Sequence, residues 1–425
     1  MNSNHYEQIK HYLDRIPLVD CHDHSVINTP KYQDPFEVII NGYYISDVIC
    51  ASSPTTFSYL RDISQPLEKR WAVFEPIWQK TQYTGYGWVT RLVLEKFYGV
   101  KALTLKSLYH IKENLADLTD EISVLKILDE ANIAARLLDI YSWNDQLDFL
   151  NGRKKLTPRS YPVFSLAHFH AIKSYSDIEK IFPSQTFTCL DEYIQAIKEV
   201  FVKYKNFGAV AVKDNSAYTR PLDYKNTARS QAELIFNRFL QDARYIASYP
   251  DETKPLDDFL FHTFMNFARD LELPVQLHTG QVALWDDIRR ANAAHLIPLI
   301  ETHRDVRFDL FHGNYPYLGE YLYVAKNYPN VTLNFCWANI INPIYAQQGF
   351  KQAVSAVPHG KIHGYGSDYV GMTDRAWAHA LIARENISRA LTELVDIDYI
   401  QLEDAKYIGQ CWLYDNARNH FNLPI

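Results

Sequence analysis

Ile16-Pro17-Leu18-Val19-Asp20-Cys21-His22-Asp23-His24 joins a short apolar run to two histidines one residue apart. Alternate side chains of a β-strand share a face, so His22 and His24 project together from the strand's C-terminal end. Two imidazoles held side by side make half of a metal site. The other donors are expected at the ends of later strands. The chain offers them in Val275-Gln276-Leu277-His278, Phe308-Asp309-Leu310-Phe311-His312 and Gly364-Tyr365-Gly366-Ser367-Asp368. The pattern reads as a metal-dependent enzyme.

Outward from this stretch, eight apolar segments are expected as strands: Leu18–His22, Ile133–Leu138, Tyr161–Leu166, Ala209–Lys213, Val275–His278, Arg307–His312, Val331–Phe335 and Ile362–Ser367. Strands rich in Val, Ile and Phe without polar alternation suit a sheet buried on both faces. The second could equally be helical. From the third onward each is followed by amphipathic sequence, such as Leu234, Ile235, Phe236, Phe239, Leu240 and then Leu260, Phe261, Phe264, Phe267. Eight strand–helix alternations predict an α/β fold, a (β/α)8 TIM barrel spanning residues 1–425 as one domain. Strands one and two are about 110 residues apart, far more than a simple connection needs. Trp71, Phe74, Ile77, Trp78 and then Val89, Leu92, Val93, Phe97 repeat with helical period there. Thr29 to about Asp129 (roughly 30–130) therefore reads as a helical insertion after strand one, a lid over the catalytic face.

A chain of 425 residues with 47% hydrophobic and 22% charged residues is globular rather than disordered or fibrous. Its net charge of -7 argues against a nucleic-acid surface. Five scattered cysteines without CxxC spacing fit a reducing cytoplasm. Tyr6, Ile9, Tyr12, Leu13 and Ile16 mark a short amphipathic helix rather than a leader peptide. No run approaches the ~20 apolar residues of a membrane span. The expectation is a cytoplasmic protein acting on a small molecule, without nucleic-acid or membrane partners. Association into a homo-oligomer is possible, since large barrels often pair through apolar outer helices.

Each candidate ligand stands at or just beyond a strand's C-terminal end: His22 and His24 on strand one, Lys213 on four, His278 on five, His312 on six, Asp368 on eight. Barrel chemistry is done at that end, by convergent histidines and carboxylates. One strand-end histidine is usually a satisfied core residue; six coincidences in order are not. In this order the chain resembles the amidohydrolase superfamily, where a strand-one HxH, a Lys or Glu on strand four, His on five and six, and Asp on eight bind one or two metals. Asp415-Asn416-Ala417-Arg418 resembles the closing helix of its amidohydrolase-2 branch. Val210-Ala211-Val212-Lys213 with Ala217-Tyr218-Thr219-Arg220, and Leu277-His278-Thr279-Gly280, look like barrel hydrolases related to the domain fused to some glutamine synthetases. The chain is more distantly similar to uronate isomerases and metal-dependent decarboxylases.

The resemblance implies that Lys213 is carboxylated and bridges two ions, with His22, His24 and Asp368 holding one and His278 and His312 the other. If Lys213 stays an ammonium, paired with Asp214 or a substrate carboxylate, His22, His24, His278 and Asp368 hold one ion. His312 then acts as an electrophile. Zinc is the default for such a donor set and manganese its rival. The expected function is hydrolysis of a C–N or ester bond by a metal-bound hydroxide, with Asp368 moving the proton. The alternative is a decarboxylase or uronate-isomerase-like enzyme; such members of the branch usually lack the lysine.

Tyr218 and Arg220 are candidates to clamp a substrate carboxylate, and Gln281 and Trp337 to line the pocket. Tyr86 and Arg91 could reach down as lid residues, though a solvated helix face suits them better. Asp23 suits a supporting role. His168, His170 and His363 match no motif position.

Overall fold

The computed structural model describes residues 3–25, 31–118, 120–283 and 286–425. Its strands are β1 Leu18–Asp23, β2 Ile133–Ile140, β3 Ser160–Ser165, β4 Ala211–Asp214, β5 Val275–Leu277, β6 Phe308–Leu310, β7 Val331–Asn334 and β8 Ile362–His363. They pair in sequence order, each parallel to the next. Past the short β8 the chain stays beside β1. The Cys21 amide donates to the Tyr365 carbonyl at 3.2 Å and the Asp368 amide to the His22 carbonyl at 2.8 Å, nearly closing the barrel. Gly366 makes this approach possible, because a Cβ there would lie 2.3 Å from Cβ of Cys336 and 3.2 Å from the amide nitrogen of His22.

Side-chain alternation sorts the strands into inside and outside. Val19, Cys21, Ala135, Leu137, Val163 and Ala211 form a separate inner cluster, packed with Ala417, Phe421 and Leu423 near the C-terminus. A polar layer also crosses the sheet: Asp309 accepts from Gln276 at 3.1 Å and from Asn334 at 2.9 Å, and pairs with His363 Nδ1 at 3.0 Å. The outer faces join the larger core beneath the helices. The helix Arg229–Gln241 buries Phe236 and Phe239 but leaves Leu234 73% exposed, so the amphipathic stripe is narrower than its sequence suggests.

Among the described residues seven helices lie between β1 and β2, following α1 Ser3–Arg15. They are α2 Pro35–Ile40, α3 Tyr44–Ala51, α4 Pro54–Arg61, α5 Leu67–Thr81, α6 Gly85–Tyr98, α7 Leu105–Glu113 and α8 Glu121–Glu130. The expected start of this interval at Thr29 lies outside the described residues. Trp71, Phe74, Ile77 and Trp78 form the buried stripe of α5, as their spacing predicts. In α6, Val89 and Val93 are buried while Leu92 and Phe97 pack at the core's edge. Thr84 caps α6 by accepting from the Gly87 amide at 3.0 Å. Among the described residues no helix is long and apolar enough to cross a membrane.

Candidate metal centre

The donor atoms meet where β1 lies against the chain beyond β8. His22 Nε2 is 3.0 Å and His24 Nε2 3.2 Å from Asp368 Oδ1. Across the mouth, His278 Nδ1 faces His312 Nε2 at 3.0 Å. Lys213 Nζ is 3.4 Å from His22 Nε2, and His312 Nδ1 is 4.0 Å from Asp368 Oδ2. All six predicted metal-binding residues therefore lie in one chain of contacts. His22, Lys213, His278, His312 and Asp368 are buried, while the His24 side chain keeps 15% of its exposure.

Several of these residues stand beyond the strands rather than on them. β6 ends at Leu310, and His312 follows with φ of 64°; Asp368 lies five residues past the end of β8 with φ of 58°. Trp337, after β7, has φ of 58°. Left-handed backbone costs a non-glycine residue of order 1–3 kcal/mol and is held only where the surroundings fix it. Here it turns the chain at the strand ends. The expectation that His312 and Ser367 lie within strands is corrected on this point, since sequence does not show the reversal.

The charges favour a donor set. Burial, reinforced by the Lys213 charge, lowers His22 to about 4 and His278 to about 3. Burial and the neighbouring His278 hold His312 well below its usual range. Burial alone would raise Asp368, but His22 and the bonds from His22 and His24 outweigh it and hold the carboxyl well below the ordinary range. Neutral imidazoles and a carboxylate are the forms that bind metal; His24 alone runs the other way, since burial would lower it but its bond to Asp368 and the Asp139 charge raise it.

Donors around a zinc ion at 2.0–2.2 Å stand about 3.0–3.5 Å apart. The contacts of Asp368 with His22 and His24, at 3.0 and 3.2 Å, have that spacing. One donor atom from each of these three residues can be chosen so that all lie within 4.8 Å of one another. Nδ1 of His22 and of His24 have no hydrogen-bond partner among the described residues. His278 and His312 provide a second donor pair.

The family model for amidohydrolases matches residues 241–423. Over these residues the chain is similar to the amidohydrolase family. Protein fluG of Emericella nidulans is 25% identical over 98% of this chain, which spans about half (47%) of that protein. A Thermotoga maritima uronate isomerase is 14% identical with a TM-score of 0.79, over 98% of this chain and 97% of its own. A Caulobacter crescentus glucuronate isomerase is 13% identical with a TM-score of 0.76, over 99% and 94%. At these identities the two solved structures show the fold.

Around the donors of this barrel, the substrate candidates separate. Tyr218 is 39% exposed with its ring 4.6 Å from that of His278. Trp337 packs edge-on to His312 at 5.2 Å. Gln281 is there through its backbone: its carbonyl contacts His278 Nε2 at 2.7 Å, while its side-chain amide donates to the Val282 carbonyl. Arg220 is a correction. It is fully buried, 2.7 Å from Asp257 and 2.5 Å from Asp258, so its charge is already neutralised away from the donors. The pairing of Lys213 with Asp214, one branch of the ammonium alternative, is not made, because Asp214 bonds instead with His170, Tyr224 and Ser216. The lysine lies 4.0 Å from Asp139 and 4.1 Å over the Phe311 ring. Asp23 holds Arg136 at 3.0 Å, the supporting role expected of it.

Tyr43 carried no sequence signal. Its hydroxyl donates to the Asp368 carbonyl at 2.5 Å, and its ring stacks on Trp337 at 4.4 Å and on Tyr86 at 5.6 Å. Tyr86 is only 9% exposed, so its reading as a solvated helix residue is corrected: it packs above the site. Arg91 stands 5.3 Å over Tyr83. Asp139 was also missed. Reading strand two as far as Ile140 would have placed this carboxylate at a strand end beside the other donors.

Proposed function

We propose that this chain is a metal-dependent hydrolase that cleaves a C–N or ester bond in a small molecule. The observation that carries the reading is Lys213, buried at the end of β4 and 3.4 Å from His22 Nε2. His22, His24 and Asp368 would hold one divalent ion, zinc or manganese, and His278 and His312 a second, with a carboxylated Lys213 between them. An ion held there acidifies water toward a pKa of about 7 and polarises the scissile carbonyl. The chain's own residues do the rest. Asp368 Oδ2 would accept the proton from water and return it to the leaving group, while Oδ1 would join His22 and His24 in holding the ion. Tyr43 fixes the Asp368 backbone, and Trp337 and Tyr86 keep bulk water from that side.

One observation favours a second reading. Phe311 below Lys213 and Asp139 beside it suit an ammonium, because an aromatic face and a carboxylate both attract a cation. One ion would then remain, and a decarboxylase or uronate-isomerase-like reaction becomes the better account.

Lys213→Ala tests the two. Elemental analysis should show the loss of one metal equivalent, and turnover on an amide and ester panel should nearly vanish. Short carboxylic acids should restore part of both, and labelled bicarbonate should place carbon-13 on the wild-type lysine. A variant that keeps its full metal complement would overturn the binuclear reading in favour of the second.

A further inference from the structure

Asp139 ends one residue short of the close of β2 and belongs to none of the six donor positions. It is 5% exposed. Its Oδ2 is 3.9 Å from His24 Nδ1 and 4.0 Å from Lys213 Nζ, both beyond hydrogen-bond length. Its Oδ1 is buried and has no hydrogen-bond partner among the described residues. Buried polar atoms are almost always paired, so an unpaired carboxylate oxygen marks a place where a donor is missing. Asp139 and His24 both border a cavity of about 500 Å³, whose wall also includes Ile140, Phe149 and Val370. An unused acceptor thus stands beside a candidate metal ligand, at the edge of a space large enough for a substrate.

We infer that Asp139 accepts a hydrogen bond from the N–H of the bond being cleaved, which makes the substrate an amide rather than an ester. The inference rests on the hydrolase reading above. In the reaction the oxygen of water adds to the carbonyl carbon, and the C–N bond breaks with its electron pair left on nitrogen. The nitrogen then takes up a proton, giving a carboxylic acid and an amine. The amide N–H satisfies Asp139 throughout. An ester places an oxygen there, which has lone pairs and no hydrogen, so two acceptors face each other. A site arranged to bond a substrate N–H discriminates against an analogue that lacks it, because its own buried group is left unpaired.

The same cavity wall carries Tyr141, 52% exposed, and Lys155, which has no carboxylate partner among the described residues. Suitable probes therefore have an aromatic acyl group and an anionic end: N-benzoyl amino acids and the matching O-benzoyl hydroxy acids. Both series are assayed on zinc- or manganese-loaded wild type, Asp139→Ala and Asp139→Asn, with metal content measured in parallel. The ratio of amide to ester kcat/KM should fall about tenfold or more in Asp139→Ala. Asp139→Asn is isosteric and keeps an acceptor, so it should recover part of the ratio. A residue acting only through His24 slows both series alike, so an unchanged ratio in both variants overturns the inference. Wild type that cleaves the esters but not the amides overturns it and leaves the hydrolase standing. Wild type that cleaves neither series overturns both.

Discussion

Two constellations of histidine and aspartate are buried in this barrel, and they are built in opposite ways. Behind β4, His170 is held between Asp257 at 2.7 Å and Asp214 at 3.0 Å. Arg220 joins Asp257 to Asp258, the Tyr249 hydroxyl donates to Asp257 and that of Tyr224 to Asp214, and Lys254 reaches Asp258. Charges of both signs alternate, and both ring nitrogens of the histidine are used. At the mouth, His22, His24 and Asp368 converge their donor atoms while two imidazole nitrogens and an oxygen of Asp139 have no partner among the described residues. The first arrangement pairs its charges internally, as a brace does. The second leaves polar atoms without partners among the described residues, and that difference separates the proposed site from a strut when residue types are the same.

The sharpest way to break the comparison is to remove one member from each. Arg220→Ala leaves Asp257 and Asp258 buried with less compensation, and should cost about 3–5 kcal/mol of stability in thermal or denaturant unfolding. His24→Ala should cost the metal-free protein far less and abolish metal-dependent stabilisation. Equal losses would mean that both constellations are structural.

A smaller effect is expected from pH, because the two regions titrate in opposite directions. Burial together with Lys213 lowers His22 to about 4 and His278 to about 3, while unfolded imidazoles protonate near 6.5. Between those values the unfolded chain binds more protons. Stability of the metal-free protein should therefore fall as pH drops from about 6.5 toward 4. Burial would also lower His170, but Asp257 and Asp214 outweigh it and raise the ring to about 9. Its contribution is fully present below about 6.5 and lost as pH rises through 9. His170→Ala should remove the alkaline decline and leave the acid one, as read from melting temperature across pH.

The barrel was legible because apolar runs such as Val210-Ala211-Val212 alternate with amphipathic helices, a pattern set by burial. Even Ile133–Leu138, ambiguous by composition, falls within β2 and takes its place between β1 and β3. The donors were legible because strand ends in a parallel barrel share one face. What stayed hidden depends on distant contacts. Arg220 reads as a clamp from its position after β4, but its partners Asp257 and Asp258 come from a helix nearly forty residues later. Tyr43 reaches Asp368 across 325 residues of sequence. The reversals at His312 and Asp368 are fixed by packing of the mouth, which no local pattern encodes.

The most direct test of the account is an anomalous difference map, collected at the zinc or manganese edge from crystals of the metal-loaded protein. The account predicts a peak among His22 Nε2, His24 Nε2 and Asp368 Oδ1, and none beside His170, Asp214 and Asp257. Density absent from the first place, or present at the second, would contradict it.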